Sequence, residues 1–271
     1  MGVSVSKADG IARIVFDNPP INLFTWEEFA ATAQIVGDLS VDDTVRVVIL
    51  SSANPDFFIA HFDVKAILSF PTGQPPATEL NPYHVMCEQL RTMPKATIAV
   101  IEGRAGGGGS EVALSCDMRF AALPSKKHAG AVFNQPEVAL GIIPGGSGTQ
   151  RLARLMGRSR ALEVVLGCDD IDAETAEKWG WVNRALPRKQ LRPFVERLAA
   201  RIASYPAHAV AAAKASVLRA EKEVAADLLA EGNAFSGTLG GPGTREAMER
   251  FLAIGGQTAA GELRLGDLLQ P

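Results

Sequence analysis

Gly103-Arg104-Ala105-Gly106-Gly107-Gly108-Gly109-Ser110-Glu111 is the most unusual stretch of this 271-residue sequence. It follows an apolar run at 96–101 that reads as a strand and leads into a second run, 112–115, that reads as a helix. Four consecutive glycines strip side chains from a strand-to-helix turn. A ligand can then approach the backbone closely, and free N–H groups collect at a helix N-terminus. Such groups suit a developing oxyanion, helped by the helix dipole. Glu111 is expected in the first turn of that helix. There it either complements the dipole or belongs to a site.

Working outward, strand-like and helical text alternate. Residues 2–6 and 11–16 read as strands, and Thr25 with Glu28 three residues on reads as a capping box that starts a helix. Arg46-Val47-Val48-Ile49-Leu50-Ser51 is a short β-branched run expected to be a buried parallel strand. Residues 70–82, rich in Pro, Gly and Thr, read as a mobile loop before a helix at 83–93. The alternation predicts an α/β layer on a mostly parallel sheet. From about residue 146 helical patterns dominate, broken by a short strand expected at 181–183. Leu191, Phe194, Leu198 and Ile202 form one apolar stripe, Val210, Ala213, Val217 and Leu218 a second, and Met248, Phe251 and Leu252 mark a last helix. The expected division is a core over 1–195 and a C-terminal helical region over 196–271, packed on the core and on neighbouring subunits.

Composition excludes several classes. Hydrophobic residues make 47% and charged residues 21%, which fits a globular chain rather than a disordered one. A net charge of −3 argues against a broad nucleic-acid footprint. The longest apolar runs are far short of the ~18 residues that span a bilayer, so no membrane partner is expected. Cys87, Cys116 and Cys168 are few, odd in number and far apart. They read as reduced thiols in a cytoplasmic protein. The four histidines are scattered and no metal-ligand spacing occurs, so no metal is expected.

Two further segments carry candidate chemistry. Glu137 lies between a strand end, Phe133-Asn134-Gln135, and the Gly/Pro-rich turn at 143–146, where it is either a solvated loop carboxylate or a group projecting into a cleft. Two glutamates flanking an oxyanion-type site would form an acid/base pair for proton transfer at carbon next to a carbonyl. Residues 54–64, Asn-Pro-Asp-Phe-Phe-Ile-Ala-His-Phe-Asp-Val, leave the strand at 46–51 and could supply another backbone N–H, with Asp63 as a helix N-cap.

Taken together, these segments resemble the enoyl-CoA hydratase/isomerase, or crotonase, family over nearly the whole length. Asp17-Asn18-Pro19-Pro20-Ile21-Asn22 resembles the family's N-P-P-x-N, Gly107-Gly108-Gly109-Ser110-Glu111 its G-G-G-[CS]-E, and residues 94–103 the strand before it. Gln135-Pro136-Glu137, the run 143–152 and Ala176-Glu177-Lys178-Trp179-Gly180-Trp181-Val182 resemble its later signatures. The resemblance implies a spiral of ββα repeats with a C-terminal helical trimerisation region, giving a homotrimer or homohexamer. It implies acyl-CoA substrates and no cofactor beyond the coenzyme A of the substrate itself. It implies an oxyanion hole from the N–H groups of Phe62 and Gly108, with Glu111 and Glu137 as the catalytic pair. Phe58, Ala60, Asp63, Lys65 and Gly107 fall on substrate-binding segments, and Phe251 matches an aromatic lining the neighbouring CoA site.

The implied activity is hydration of a trans-2-enoyl-CoA through a thioester enolate. The alternatives are another crotonase-type reaction (isomerase, hydrolase or decarboxylase) or a non-catalytic CoA-binding subunit. The oxyanion loop departs from the family's F-x-A-G-x-D pattern, since His61 stands where glycine is usual. His61 is expected to point to solvent while the loop relaxes. Otherwise it and Phe62 reshape acyl selectivity or spoil the oxyanion hole. Bulky Phe62 and Trp26 point to a short acyl group. Ile254 falls where some hydratases carry a lysine near the nucleotide. Lys65 could replace that contact but reads more simply as a solvated helix residue.

Overall fold

The computed structural model describes residues 2–221 and 224–269; Met1, which opens the expected core, and 222–223 and 270–271, which fall in the expected C-terminal region, lie outside the described residues. Among the described residues, ten strands form two sheets. The larger contains β1 (Gly2–Ala8), β2 (Ile11–Asp17), β3 (Val47–Ser52), β5 (Ala96–Ile101), β7 (Met118–Leu123) and β10 (Arg184–Pro187), in the order β1-β2-β3-β5-β7-β10. The smaller has the order β4-β6-β8-β9, with β4 at Phe57–Ile59, β6 at Arg104–Gly106, β8 at Val132–Asn134 and β9 at Ile171–Asp172. Only the β1–β2 and β8–β9 pairs are antiparallel. Three times the chain passes from the large sheet to the small one and then into helix: β3 to β4, β5 to β6, and β7 to β8. That repeated step is a ββα spiral.

Burial explains the strand signal. Val47 and Ile49 face a core closed by Leu191, Val195 and Ala199, while Val48 and Leu50 face the main core between the layers. With both faces covered, β3 reads as a continuous apolar run rather than an alternating one. The helix Trp26–Val41 begins as expected: Thr25 Oγ1 accepts the N–H of Glu28. The reciprocal half of the capping box is absent. The Glu28 carboxylate lies toward Gly2 instead.

Four expectations are corrected. The helix after the glycine turn is Gly107–Leu114, so Glu111 sits in its second turn, not its first. Residues 181–183 are a bend anchored by buried Trp181 against Phe133, and the strand follows at Arg184. On the helix Arg188–Ala203 the fully buried row is Leu191, Val195, Ala199 and Ala203, with Phe194, Leu198 and Ile202 flanking it. The helix Ala207–Leu218 buries none of its residues, and Val217 is 72% exposed. The helix Thr244–Ala253 is followed by two short turns, Ala259–Glu262 and Leu265–Leu268. Met248, Phe251 and Leu265 pack with Val64, Leu140 and Ile142, which returns the C-terminal segment to the body near the small sheet.

Candidate active site

The small sheet and its outgoing turns converge on one cleft of about 260 Å³, open on one side. Phe62 borders it from the turn after β4, Gly108 and Glu111 from the helix Gly107–Leu114, and Glu137 from the first residue of the 3-10 turn Glu137–Leu140. Trp26, Phe29, Phe70, Tyr83 and Phe235 add a largely aromatic wall. Trp26 and Phe62 meet edge to face at 5.5 Å and line the cleft rather than fill it. The loop expected at 70–82 contributes Phe70, Asn81 and Pro82 to the rim. It is tied down, because Asn233 bonds both the N–H and the carbonyl of Ala77, at 2.7 and 3.1 Å.

Two residues that border this cleft, Phe62 and Gly108, carry unpaired backbone donors. A β-carbon on Gly108 would lie 3.4 Å from the nitrogen of Phe62 and 3.2 Å from its Cβ, so the two peptides adjoin. Among the described residues, neither the Phe62 N–H nor the Gly108 N–H donates to a protein acceptor. The Gly108 N–H is free because it lies in the first turn of a helix. The Tyr83 hydroxyl, kept protonated by burial, donates to the Gly108 carbonyl at 2.6 Å. The glycines are required here for two reasons. Gly107 has φ +45°, and a β-carbon on it would stand 2.9 Å from Glu137 Oε1. A β-carbon on Gly109 would stand 2.7 Å from Ile59 Cβ and closer still to its carbonyl.

Both glutamates are buried, and their environments differ. Glu111 Oε1 accepts the N–H groups of Gly146 and Gly148, each at 2.8 Å. Burial and then the charge of Glu231 push Glu111 up to about 8, against the pull of those two donors. Burial first, and then the charge of Glu111, hold Glu137 well above the ordinary carboxylate range. With its amide turned to donate, Gln135 reaches both Glu137 oxygens at 3.1 Å. Burial and mutual charge thus bias the pair toward holding a proton. The backbone donors favour charge on Glu111, which leaves the proton on Glu137.

Two buried carboxylates and two unpaired backbone N–H groups thus border one cleft. A sequence model of the enoyl-CoA hydratase/isomerase family matches residues 6–254. The chain belongs to the enoyl-CoA hydratase/isomerase family. It is 29% identical over 252 residues to the short-chain-enoyl-CoA hydratase of Clostridium acetobutylicum, covering 92% of this chain and 94% of that one. It is 29% identical over 256 residues to the crotonyl-CoA hydratase of Syntrophomonas wolfei, covering 92% and 94%. A crystal structure from Streptomyces avermitilis, described as a candidate enoyl-CoA hydratase, superposes with a TM-score of 0.88 at 38% identity over 99% of this chain and 97% of that one. The α/β crotonase fold expected from the motifs is thus the fold of this chain.

Within this family member the expected site residues divide into two groups. Phe62, Gly107, Gly108, Glu111 and Glu137 come together around the cleft. Asp63 caps the helix Val64–Ile67, its Oδ1 accepting the Lys65 N–H at 2.9 Å and Gln257 Nε2 at 2.8 Å. Lys65 is exposed. Phe58 and Ala60 are wholly buried behind the loop, with Phe58 against Phe16 and the Ala60 carbonyl accepting the Gly106 N–H. Phe251 is buried in this chain's own core, 5.8 Å from the His61 ring, and does not border the cleft.

His61 overturns its expectation. It does not face solvent; it is buried, with Nε2 3.0 Å from Glu262 Oε1. Its φ is not positive, so the loop carries no left-handed strain at this position. Three residues went unread in the sequence: Gln135 as a partner for Glu137, Glu262 and Glu231. Glu231 is a buried carboxylate on the helix Val224–Leu239. It accepts the N–H groups of Ser147 and Gln150 and the Thr149 hydroxyl, and lies 3.3 Å from His84 Nε2. An acid inside a run of Ala and Leu was the one available signal. Among the described residues no group of three or more His, Cys, Asp or Glu could hold a metal ion, and no helix is long and apolar enough to cross a membrane.

Proposed function

We propose that this chain is an enoyl-CoA hydratase that adds water across a trans-2-enoyl-CoA. One observation carries the reading: two buried carboxylates, both held above the ordinary carboxylate range, share a cleft with two unpaired backbone N–H groups. The thioester oxygen binds between the Phe62 and Gly108 N–H groups. Glu111, as carboxylate, takes a proton from water as its oxygen attacks Cβ. The π electrons move to Cα, and the charge rests on the thioester oxygen. Glu137 then delivers its proton to Cα as the enolate collapses. Unequal carboxyl environments assign the base and acid roles. Each oxyanion donor in comparable sites is worth about 3 kcal/mol of barrier. No cofactor enters these steps, since coenzyme A arrives as part of the substrate.

The aromatic wall supports an apolar acyl group. We also propose a cytoplasmic homotrimer or homohexamer, because the helix Ala207–Leu218 buries nothing within its own chain while Leu166 and Val217 stand exposed.

The test mixes purified protein with crotonyl-CoA and follows loss of the conjugated enoyl-thioester absorbance. Fast loss is expected, and Glu137→Gln should cut kcat about 10²–10⁴-fold. Binding of crotonyl-CoA without loss of absorbance would move the reading to double-bond isomerisation or another sister reaction.

A further inference from the structure

The imidazole of His61 lies between two acceptors. Nδ1 is 2.8 Å from the Phe62 carbonyl and Nε2 is 3.0 Å from Glu262 Oε1. Glu262 Oε1 also accepts the Gln257 N–H at 2.7 Å, a contact that favours the ionised form. A neutral imidazole has one N–H and would leave an acceptor facing an acceptor; only the imidazolium donates to both. Burial works against that charge, but Glu262, the Phe62 carbonyl and Asp63 outweigh it and raise His61. Arg104, itself paired with Asp170, lies behind Glu262, which His61 in turn holds low despite burial.

The consequence lies in the backbone. The His61 carbonyl accepts the Phe24 N–H at 2.9 Å, and the Asp63 N–H donates to the Phe24 carbonyl at 3.0 Å. The imidazolium fixes the Phe62 carbonyl. Three of the four polar groups in the two peptides around Phe62 are therefore tied down. The fourth, the Phe62 N–H, is left free beside Gly108.

We propose that His61, as an imidazolium paired with Glu262, is a positioning residue that holds the Phe62 peptide in its donor orientation. This rests on the hydratase reading of the cleft. His61 thus does what a glycine loop cannot: it fastens the oxyanion loop to a C-terminal turn, Ala259–Glu262, 201 residues away.

The test uses His61→Gln, Glu262→Gln and the double variant in the full chain. Two readouts apply: steady-state hydration of crotonyl-CoA, and the near-ultraviolet band of the enolate of bound acetoacetyl-CoA, which reports the oxyanion hole without hydration. Each single change should lower kcat about 10- to 100-fold with KM within about threefold, and weaken the enolate band. The double variant should lose no more than the worse single one, because the two residues act as a unit. Folded variants that keep kcat within about twofold and a full band would overturn the proposal. Should the variants not fold, ¹⁵N spectra of histidine in the parent decide: both His61 nitrogens protonated at pH 7 is the expected result, and a neutral ring overturns it. A parent that neither hydrates nor enolises either probe refutes the hydratase reading instead, while the spectra still judge the pair.

Discussion

A β-carbon on Gly146 would stand 2.5 Å from the Tyr83 ring and closer still to Glu111 Oε2. Gly146→Ala therefore forces Glu111 off its two backbone donors or Tyr83 off the Gly108 carbonyl. We expect kcat to fall about 10²-fold, the loss typical of one misplaced catalytic group, and stability to fall by about 1–3 kcal/mol from overpacking. Kinetics and thermal melting of that one variant check both. A variant with parental kcat would mean that the Glu111 position described here is not the working one.

At the scale of elements, the turn 146–150 is held by two acids in alternation. Glu111 takes the N–H groups of Gly146 and Gly148, and Glu231 takes those of Ser147 and Gln150. Ser147, at φ +101°, makes the reversal that lets successive amides face opposite sides. Glu231 also pushes Glu111 upward by like charge. Removing that charge makes Glu111 ionise more easily. Glu231→Gln should then move the acid limb of kcat/KM to lower pH, since the base form of the pair appears earlier. A limb that stays or moves upward in a pH-rate profile would contradict the coupling. The segment before the first helix plays a similar holding part. Asn22 is buried at φ +52°, and its amide donates to the Phe16 carbonyl, Ser52 Oγ and the Phe58 carbonyl, joining β2, β3 and β4.

Two of the strands that sequence reading found owe their clear signal to uniform burial. β3 and β5 lie covered on both faces and read as unbroken apolar runs. The start of the helix at Gly107 was missed because glycine has poor intrinsic helix propensity. Packing against Ile59, which no periodicity reveals, sets it there. Glu111 and Glu137 were legible through their motifs. The His61–Glu262 and Glu111–Glu231 relations were not, because each joins distant parts of the chain whose local text is ordinary.

At the scale of the whole molecule, the exposed area is 12498 Å², against roughly 11,000 Å² expected for a compact monomer of this mass. The excess fits helices that await a partner. Sedimentation should give a mass that is a multiple of three times the 28.7 kDa chain. A monomer at micromolar concentration would refute the oligomer and leave the exposed helix Ala207–Leu218 unexplained.

The clasp between His61 and Glu262 also bears on how the molecule is made. During synthesis the cleft residues, from Phe62 to Glu137, emerge well before the helix that carries Glu262. The last strand, Arg184–Pro187, also precedes it, so the residues of both sheets are complete before Glu262 is added. If His61 seats the oxyanion loop as proposed, that loop waits on Glu262, 201 residues further along the chain.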